Sequence, residues 1–196
     1  MKRLKRQVPN MLSAYRIAII PVLMFFFYMG TETAIWINCA LFFVACWSDY
    51  FDGKIARKTG YTSAFGKFLD TTSDKVMIGS VLLLLIAFDL ITGYWVIPAL
   101  ILFAREIIIT NLRGVMGVYN VVVESTWTGK YKAFAQMVAS GFLMAGEYGP
   151  KLVPYSVEIG KAALIIATVL SIVSAWDYVK AGLTVIKKAD KEPKKK

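Results

Sequence analysis

Histidine is absent from this 196-residue chain, and cysteine occurs only twice. That leaves little from which to build a zinc site, whose ligands come mainly from those two residue types. Cys39 and Cys46 are seven apart in one apolar segment, on one face of a single helix, so geometry excludes a disulfide between them. Acidic residues are scarce as well, 13 against 23 Lys and Arg, and the formal net charge is +10. There is no dinucleotide fingerprint, and the only Thr-Gly-Lys, at 128–130, lacks the preceding glycine of a phosphate loop. No internal repeat occurs, and no low-complexity linker precedes the C-terminal tail.

What the chain has in abundance is apolar surface: 57% of its residues are hydrophobic and the mean hydropathy is +0.56. Such values lie far above those of an ordinary soluble domain and predict an integral membrane protein, all-α, with residues 1–196 as a single domain. A basic surplus can signal nucleic-acid binding, but here the Lys and Arg fall in alternate loops and at both ends, which points to membrane topology and not to nucleic acid. The expected transmembrane helices cover about 11–29, 34–58, 70–91, 95–112, 133–145 and 159–179. Connections 53–67 and 113–132 and the ends 1–10 and 180–196 are rich in Lys and Arg, whereas 30–33, 89–94 and 146–158 contain only Lys151. Six helices with both termini cytoplasmic satisfy that distribution. The basic segment 1–10 precedes the first helix with no small-residue cleavage site after it, and the lysine-rich end 187–196 reads as a solvated tail.

Against that apolar background, residues 49–74 are unusual: DYFDGKIARKTGYTSAFGKFLDTTSD carries four aspartates beside two long apolar runs. A carboxylate next to hydrocarbon costs several kcal/mol unless it is paired, neutralised or held on a cation. Asp49 and Asp52 are three apart, and Asp70 and Asp74 four apart, so each pair shares one helix face. Several hard oxygen ligands without histidine suit Mg²⁺ or Mn²⁺. A helix from Ala34 rises about 22 Å by Asp49, short of a hydrocarbon core of roughly 30 Å, which puts the first aspartates just inside the cytoplasmic boundary. Gly53, Ala56 and Gly66 leave room for close approach, and Arg57 is a planar fork suited to phosphate.

The pattern D-x2-D-G-x2-A-R, eight residues, then G-x3-D-x3-D resembles the signature of the CDP-alcohol phosphotransferase family, matched by Asp49, Asp52, Gly53, Ala56, Arg57, Gly66, Asp70 and Asp74. The resemblance implies a membrane bundle with a cytoplasm-facing active-site cavity in the cytoplasmic (inner) membrane, and a homodimer. Two divalent cations, Mg²⁺ or Mn²⁺, would be held by Asp49, Asp52, Asp70 and Asp74. Asp74 would also take the proton from the attacking alcohol. Asp52, Gly53, Ala56, Arg57, Ser63 and Gly66 would line the CDP-diacylglycerol side. Ser63 stands where Thr is common, and Thr71 where Pro often follows the third aspartate.

Three further stretches resemble the branch of that family whose acceptor is sn-glycerol 3-phosphate. PNMLSAYRIAIIP, residues 9–21, brings in Asn10 and Arg16; on residues alone, Arg16 reads either as a ligand or as a side chain snorkelling to the cytoplasmic interface. AREIIITNLR, residues 104–113, has Ile109 and Asn111 where Val and Gly are usual, and TGKYK ends in Lys132. Arg105, Arg113, Lys130 and Lys132 would then bind the acceptor phosphate. The bland reading of Arg105 and Glu106 is an ion pair that neutralises itself within the helix. The function expected from the resemblance is transfer of the phosphatidyl group of CDP-diacylglycerol to glycerol 3-phosphate, giving phosphatidylglycerophosphate and CMP. The alternatives are the same chemistry with serine or inositol phosphate as acceptor, a divalent-cation transporter, or a lipid-binding scaffold. Transport sites normally lie at mid-membrane on interrupted helices, whereas these carboxylates cluster at one edge.

Overall fold

In the computed structural model, the backbone is described for residues 2–59, 64–119, 121 and 127–191; side chains are described for these except 2–12, 49–59, 64, 65, 67, 177 and 188–191. Among the described residues there is no strand. The helices are α1 (Lys2–Met29), α2 (Glu32–Thr59), α3 (Ala64–Ala87), α4 (Val96–Val118), α5 (Trp127–Ala145), the single turn α6 (Gly149–Leu152) and α7 (Ser156–Lys191).

Each expected apolar segment contains one long helix, but the helices overrun the apolar stretches. α7 continues to Lys191 because Gly182 is the only Gly or Pro between Val179 and Lys191 and one glycine does not stop a packed helix. α3 begins at Ala64, so Asp70 and Asp74 stand within its first three turns and not at its start. α5 begins at Trp127, which puts Lys130 and Lys132 inside a helix that the polar composition of 113–132 disguised as a connection. Boundaries are sharp where the chain supplies a signal. Gly30, at φ +60°, ends α1 in the left-handed conformation that favours glycine. The Thr31 hydroxyl then accepts the Ala34 amide at 3.3 Å and opens α2.

The chain forms two compact units, residues 1–93 with 140–160 and residues 94–139 with 161–196. In the first, α1 packs against both α2 and α3. Its core is Ile19, Leu23 and Phe27 from α1, Phe42 and Ala45 from α2, and Met77, Val81 and Leu85 from α3, all at helical spacing. At one end of this unit the Lys151 ammonium meets the Glu32 carboxylate at 2.5 Å, and the Tyr148 hydroxyl donates to the Gly30 carbonyl at 3.2 Å. The Lys151 hydrogen bond holds the Glu32 carboxyl below the usual range, and the same bond raises the Lys151 ammonium. No disulfide joins Cys39 and Cys46.

In the second unit, Ile109 and Met116 of α4 and Tyr178 and Val185 of α7 form a buried cluster, with Leu112 and Val179 packed against it. Two helical stretches, Gly93–Val118 and Ser156–Lys187, are long and apolar enough to cross a membrane. Only 28% and 39% of their apolar windows are buried, so most of each presents side chains such as Ile108, Ile166 and Val169 outward. An apolar surface of that kind is tolerated by lipid and not by water.

Close approach between α4 and α7 depends on Gly182, where a Cβ would lie 2.4 Å from a Leu112 methyl and 2.7 Å from its Cγ. Gly182→Ala is expected to destabilise the protein by about 1–3 kcal/mol through overpacking. Thermal unfolding of the purified variant in detergent checks this, with Gly117→Ala, a site open on all sides, as the control that shifts little.

Candidate functional site

The carboxylates read from the sequence all belong to the first unit, Asp49 and Asp52 on α2 and Asp70 and Asp74 on α3. The side chains of Asp49, Asp52, Gly53, Ala56 and Arg57 lie outside the described residues, as does Ser63 altogether; Asn10 is placed only as backbone of α1. Gly66 sits one turn before Asp70, partly buried on α3. Among the described residues, no group of three or more His, Cys, Asp or Glu converges.

Asp70 and Asp74, one turn apart, have different surroundings. Arg16 of α1 is fully enclosed, 0% exposed, and its guanidinium donates to Asp70 Oδ1 at 2.6 Å while Asp70 is 54% exposed. The same nitrogen donates to Ser13 Oγ at 3.3 Å, and that hydroxyl lies 3.5 Å from the same Oδ1. Arg16 therefore does not snorkel to a surface: it spans from α1 to α3, holding a carboxylate whose outer face stays accessible. Charge-assisted bonds of this length are the strong ones. Asp74 instead meets the Lys75 ammonium at 2.9 Å, both side chains being partly exposed.

The basic residues read as an anion site belong to the second unit, and α7 holds two of them. Arg105 Nε donates to the Ser171 carbonyl at 3.1 Å and its Nη2 to Ser174 Oγ at 2.7 Å, while Nη1 lies 3.4 Å from Glu106 Oε1. The same Oε1 pairs with the Lys132 ammonium, and both of these side chains are buried. The Arg105–Glu106 pair foreseen within one helix is thus secondary, and the closer partner of Glu106 comes from α5. One turn beyond Ser174 and eight residues after Arg105, respectively, Tyr178 and Arg113 meet: the Arg113 guanidinium donates to the Tyr178 hydroxyl and lies 4.2 Å from its ring centroid. Lys130 stays apart, exposed, with its ammonium 4.4 Å from the Trp127 ring. Among the described residues of this cluster, three cations stand against one carboxylate, an arrangement suited to an anion.

Sequence reading missed Ser171, Ser174 and Tyr178. Their spacing, three and then four, puts them on one face of α7. That polar stripe was the available signal, and the hydropathy of the segment concealed it.

The profile of the CDP-alcohol phosphatidyltransferase family matches residues 6–173, and the chain belongs to that family. The match includes every described residue of both clusters except Ser174 and Tyr178. Among curated relatives, one from Rickettsia felis is 35% identical over 179 residues, covering 91% of this chain and 97% of the relative. One from Pectobacterium atrosepticum is 40% identical over 178 residues, covering 89% and 93%, and one from Bacillus subtilis is 32% identical over 183 residues, covering 87% and 92%. Each of these relatives is named CDP-diacylglycerol–glycerol-3-phosphate 3-phosphatidyltransferase.

The two α3 carboxylates are expected to respond differently to removal. Asp70→Ala takes the ion pair from an enclosed arginine and should cost roughly 1–3 kcal/mol of stability, whereas Asp74→Ala, beside a partly exposed lysine, should cost little. Melting temperatures of the two purified variants check this; equal shifts would contradict it.

Proposed function

We propose that this chain transfers the phosphatidyl group of CDP-diacylglycerol to sn-glycerol 3-phosphate, releasing CMP. The observation that carries the reading is the pairing of family membership with a cationic cluster of buried Lys132, half-buried Arg105 and exposed Arg113. A phosphorylated acceptor needs cations beyond those that hold the donor. The names of the relatives, similar over about nine-tenths of the chain, support the same acceptor. The chain would act as one membrane domain of six spans, both termini cytoplasmic, with the aspartates in a cavity open to the cytosol. The charge distribution of the connections and the outward apolar faces of α4 and α7 support that arrangement.

The donor set fits divalent cations: Asp49, Asp52, Asp70 and Asp74 are four hard oxygen ligands on two helices of one unit, in a chain without histidine. Bound Mg²⁺ or Mn²⁺ would neutralise the pyrophosphate and stabilise the departing oxygen. The residues supply the rest. Arg16 fixes one oxygen of Asp70 and so orients the carboxylate that faces outward. Gly53, Ala56 and Gly66 leave space for the nucleotide, and Arg57 and Ser63 give donors to it. Asp74 accepts the proton of the acceptor hydroxyl as its oxygen attacks the outer phosphorus, and the bond from that phosphorus to CMP breaks. Arg105, Arg113 and Lys132 hold the acceptor phosphate. Their internal partners on α4 and α7 keep them in place before it binds.

An acceptor panel with purified protein, CDP-diacylglycerol and Mg²⁺ or Mn²⁺ tests the reading. CMP release is expected with glycerol 3-phosphate, not with serine or inositol phosphate, and should stop in excess chelator. Arg113→Ala should raise the half-saturating glycerol 3-phosphate concentration by roughly tenfold to a hundredfold and leave CDP-diacylglycerol affinity little changed. Uptake of Mn²⁺ into proteoliposomes without CMP release would establish transport instead.

A further inference from the structure

We propose that Gln136 recognises the secondary hydroxyl of the acceptor and thereby selects a polyol phosphate over a simple phosphate-bearing alcohol. The proposal rests on the glycerol 3-phosphate reading above and deepens it. Gln136 lies on α5, 1% exposed, and among the described residues neither its amide oxygen nor its amide nitrogen has a hydrogen-bond partner. An amide left unmet in an apolar interior costs roughly 1–3 kcal/mol, so a ligand that satisfies both atoms gains by binding there.

Position decides which ligand. Lys132 precedes Gln136 by four residues, on the same face of α5 and about 6 Å away along the axis, a span within the reach of one small polyol phosphate. Lys132 is itself buried and tied to Glu106, which also contacts Arg105. On α7, the Ser171 carbonyl receives Arg105 while the buried Ser171 hydroxyl has no partner among the described residues. The second unit therefore pairs cations with unsatisfied neutral polar groups. Asn38 is another buried amide with no partner among the described residues, but residues 34–42 of α2 around it carry no charge that would mark an anionic ligand.

The chemistry of the amide separates the parts of the acceptor. A phosphate dianion offers only acceptors and would oppose the amide oxygen. An alcohol hydroxyl donates and accepts, and meets the oxygen and the NH₂ of Gln136 together. The primary hydroxyl is consumed as nucleophile, which leaves the secondary one for recognition.

The experiment compares glycerol 3-phosphate with 3-hydroxypropyl phosphate, which keeps the phosphate and the primary hydroxyl and lacks the secondary hydroxyl. With wild-type protein, kcat/KM should favour glycerol 3-phosphate by roughly tenfold to a hundredfold, the worth of a well-made buried hydrogen bond. In Gln136→Leu that preference should collapse, through loss on glycerol 3-phosphate with 3-hydroxypropyl phosphate within about twofold of wild type. Equal wild-type kcat/KM for the two acceptors would overturn the proposal without any variant. Equal losses on both acceptors in Gln136→Leu would assign Gln136 to packing and overturn it as well. CMP release with serine but with neither phosphate ester would overturn the acceptor reading itself, and this inference with it.

Discussion

A charge placed among apolar helices must be paired, and the organisation of this protein follows from that constraint. The cost of an isolated ion in a low-dielectric interior exceeds any single packing gain, so each enclosed cation is found with a partner drawn from another helix. Enclosed Arg16 of α1 reaches Asp70 of α3 and enclosed Lys132 of α5 reaches Glu106 of α4, while the exposed Arg113 of α4 reaches Tyr178 of α7. Each contact fixes a register between two helices that apolar packing alone would leave loosely specified. Leu, Ile and Val side chains interchange at little cost, whereas a guanidinium fits its carboxylate or phenol in few geometries.

In the proposed function, the same contacts prepare for an anionic substrate. Arg105 is aimed by a Ser171 carbonyl and a Ser174 hydroxyl, neutral groups that orient the guanidinium without cancelling its charge. Tyr178 does the same for Arg113 through its hydroxyl and its ring. One carboxylate, Glu106, is shared between Arg105 and Lys132. Cations held mainly by neutral partners retain charge for a ligand and lose little side-chain entropy when it arrives. In the first unit the balance is reversed: the half-exposed carboxylate of Asp70 is steadied by an enclosed arginine, which leaves negative charge facing outward.

Family membership and internal geometry support one another from different residues. The pattern that resembles the family signature lies in α2 and α3, and the aspartates proposed to hold the cations belong to it. The partners that orient the cations lie in α7, where Tyr178 falls beyond the matched residues 6–173. Tyr178 illustrates how a residue acquires meaning through contact: in sequence it is one tyrosine in an apolar helix, and in the fold it holds an arginine 65 positions away.

The sequence by itself determined the helical class, the number of long helices and the carboxylate pairs, because hydropathy, helical spacing and the family signature are local properties of the chain. It also marked Arg105 as a cation inside an apolar run, and the family resemblance added Arg113, Lys130 and Lys132. It misjudged helix ends: residues 64–69 and 127–132 belong to helices whose starts the sequence reading placed later, since a packed helix extends past its apolar stretch until a breaker stops it. Only the tertiary structure decided which partner each charge takes. Arg16 could reach a surface or another helix, and Glu106 could neutralise its neighbour Arg105 or a lysine 26 residues on. Those choices depend on which helices lie side by side, a relation between segments far apart in the chain that no local pattern encodes.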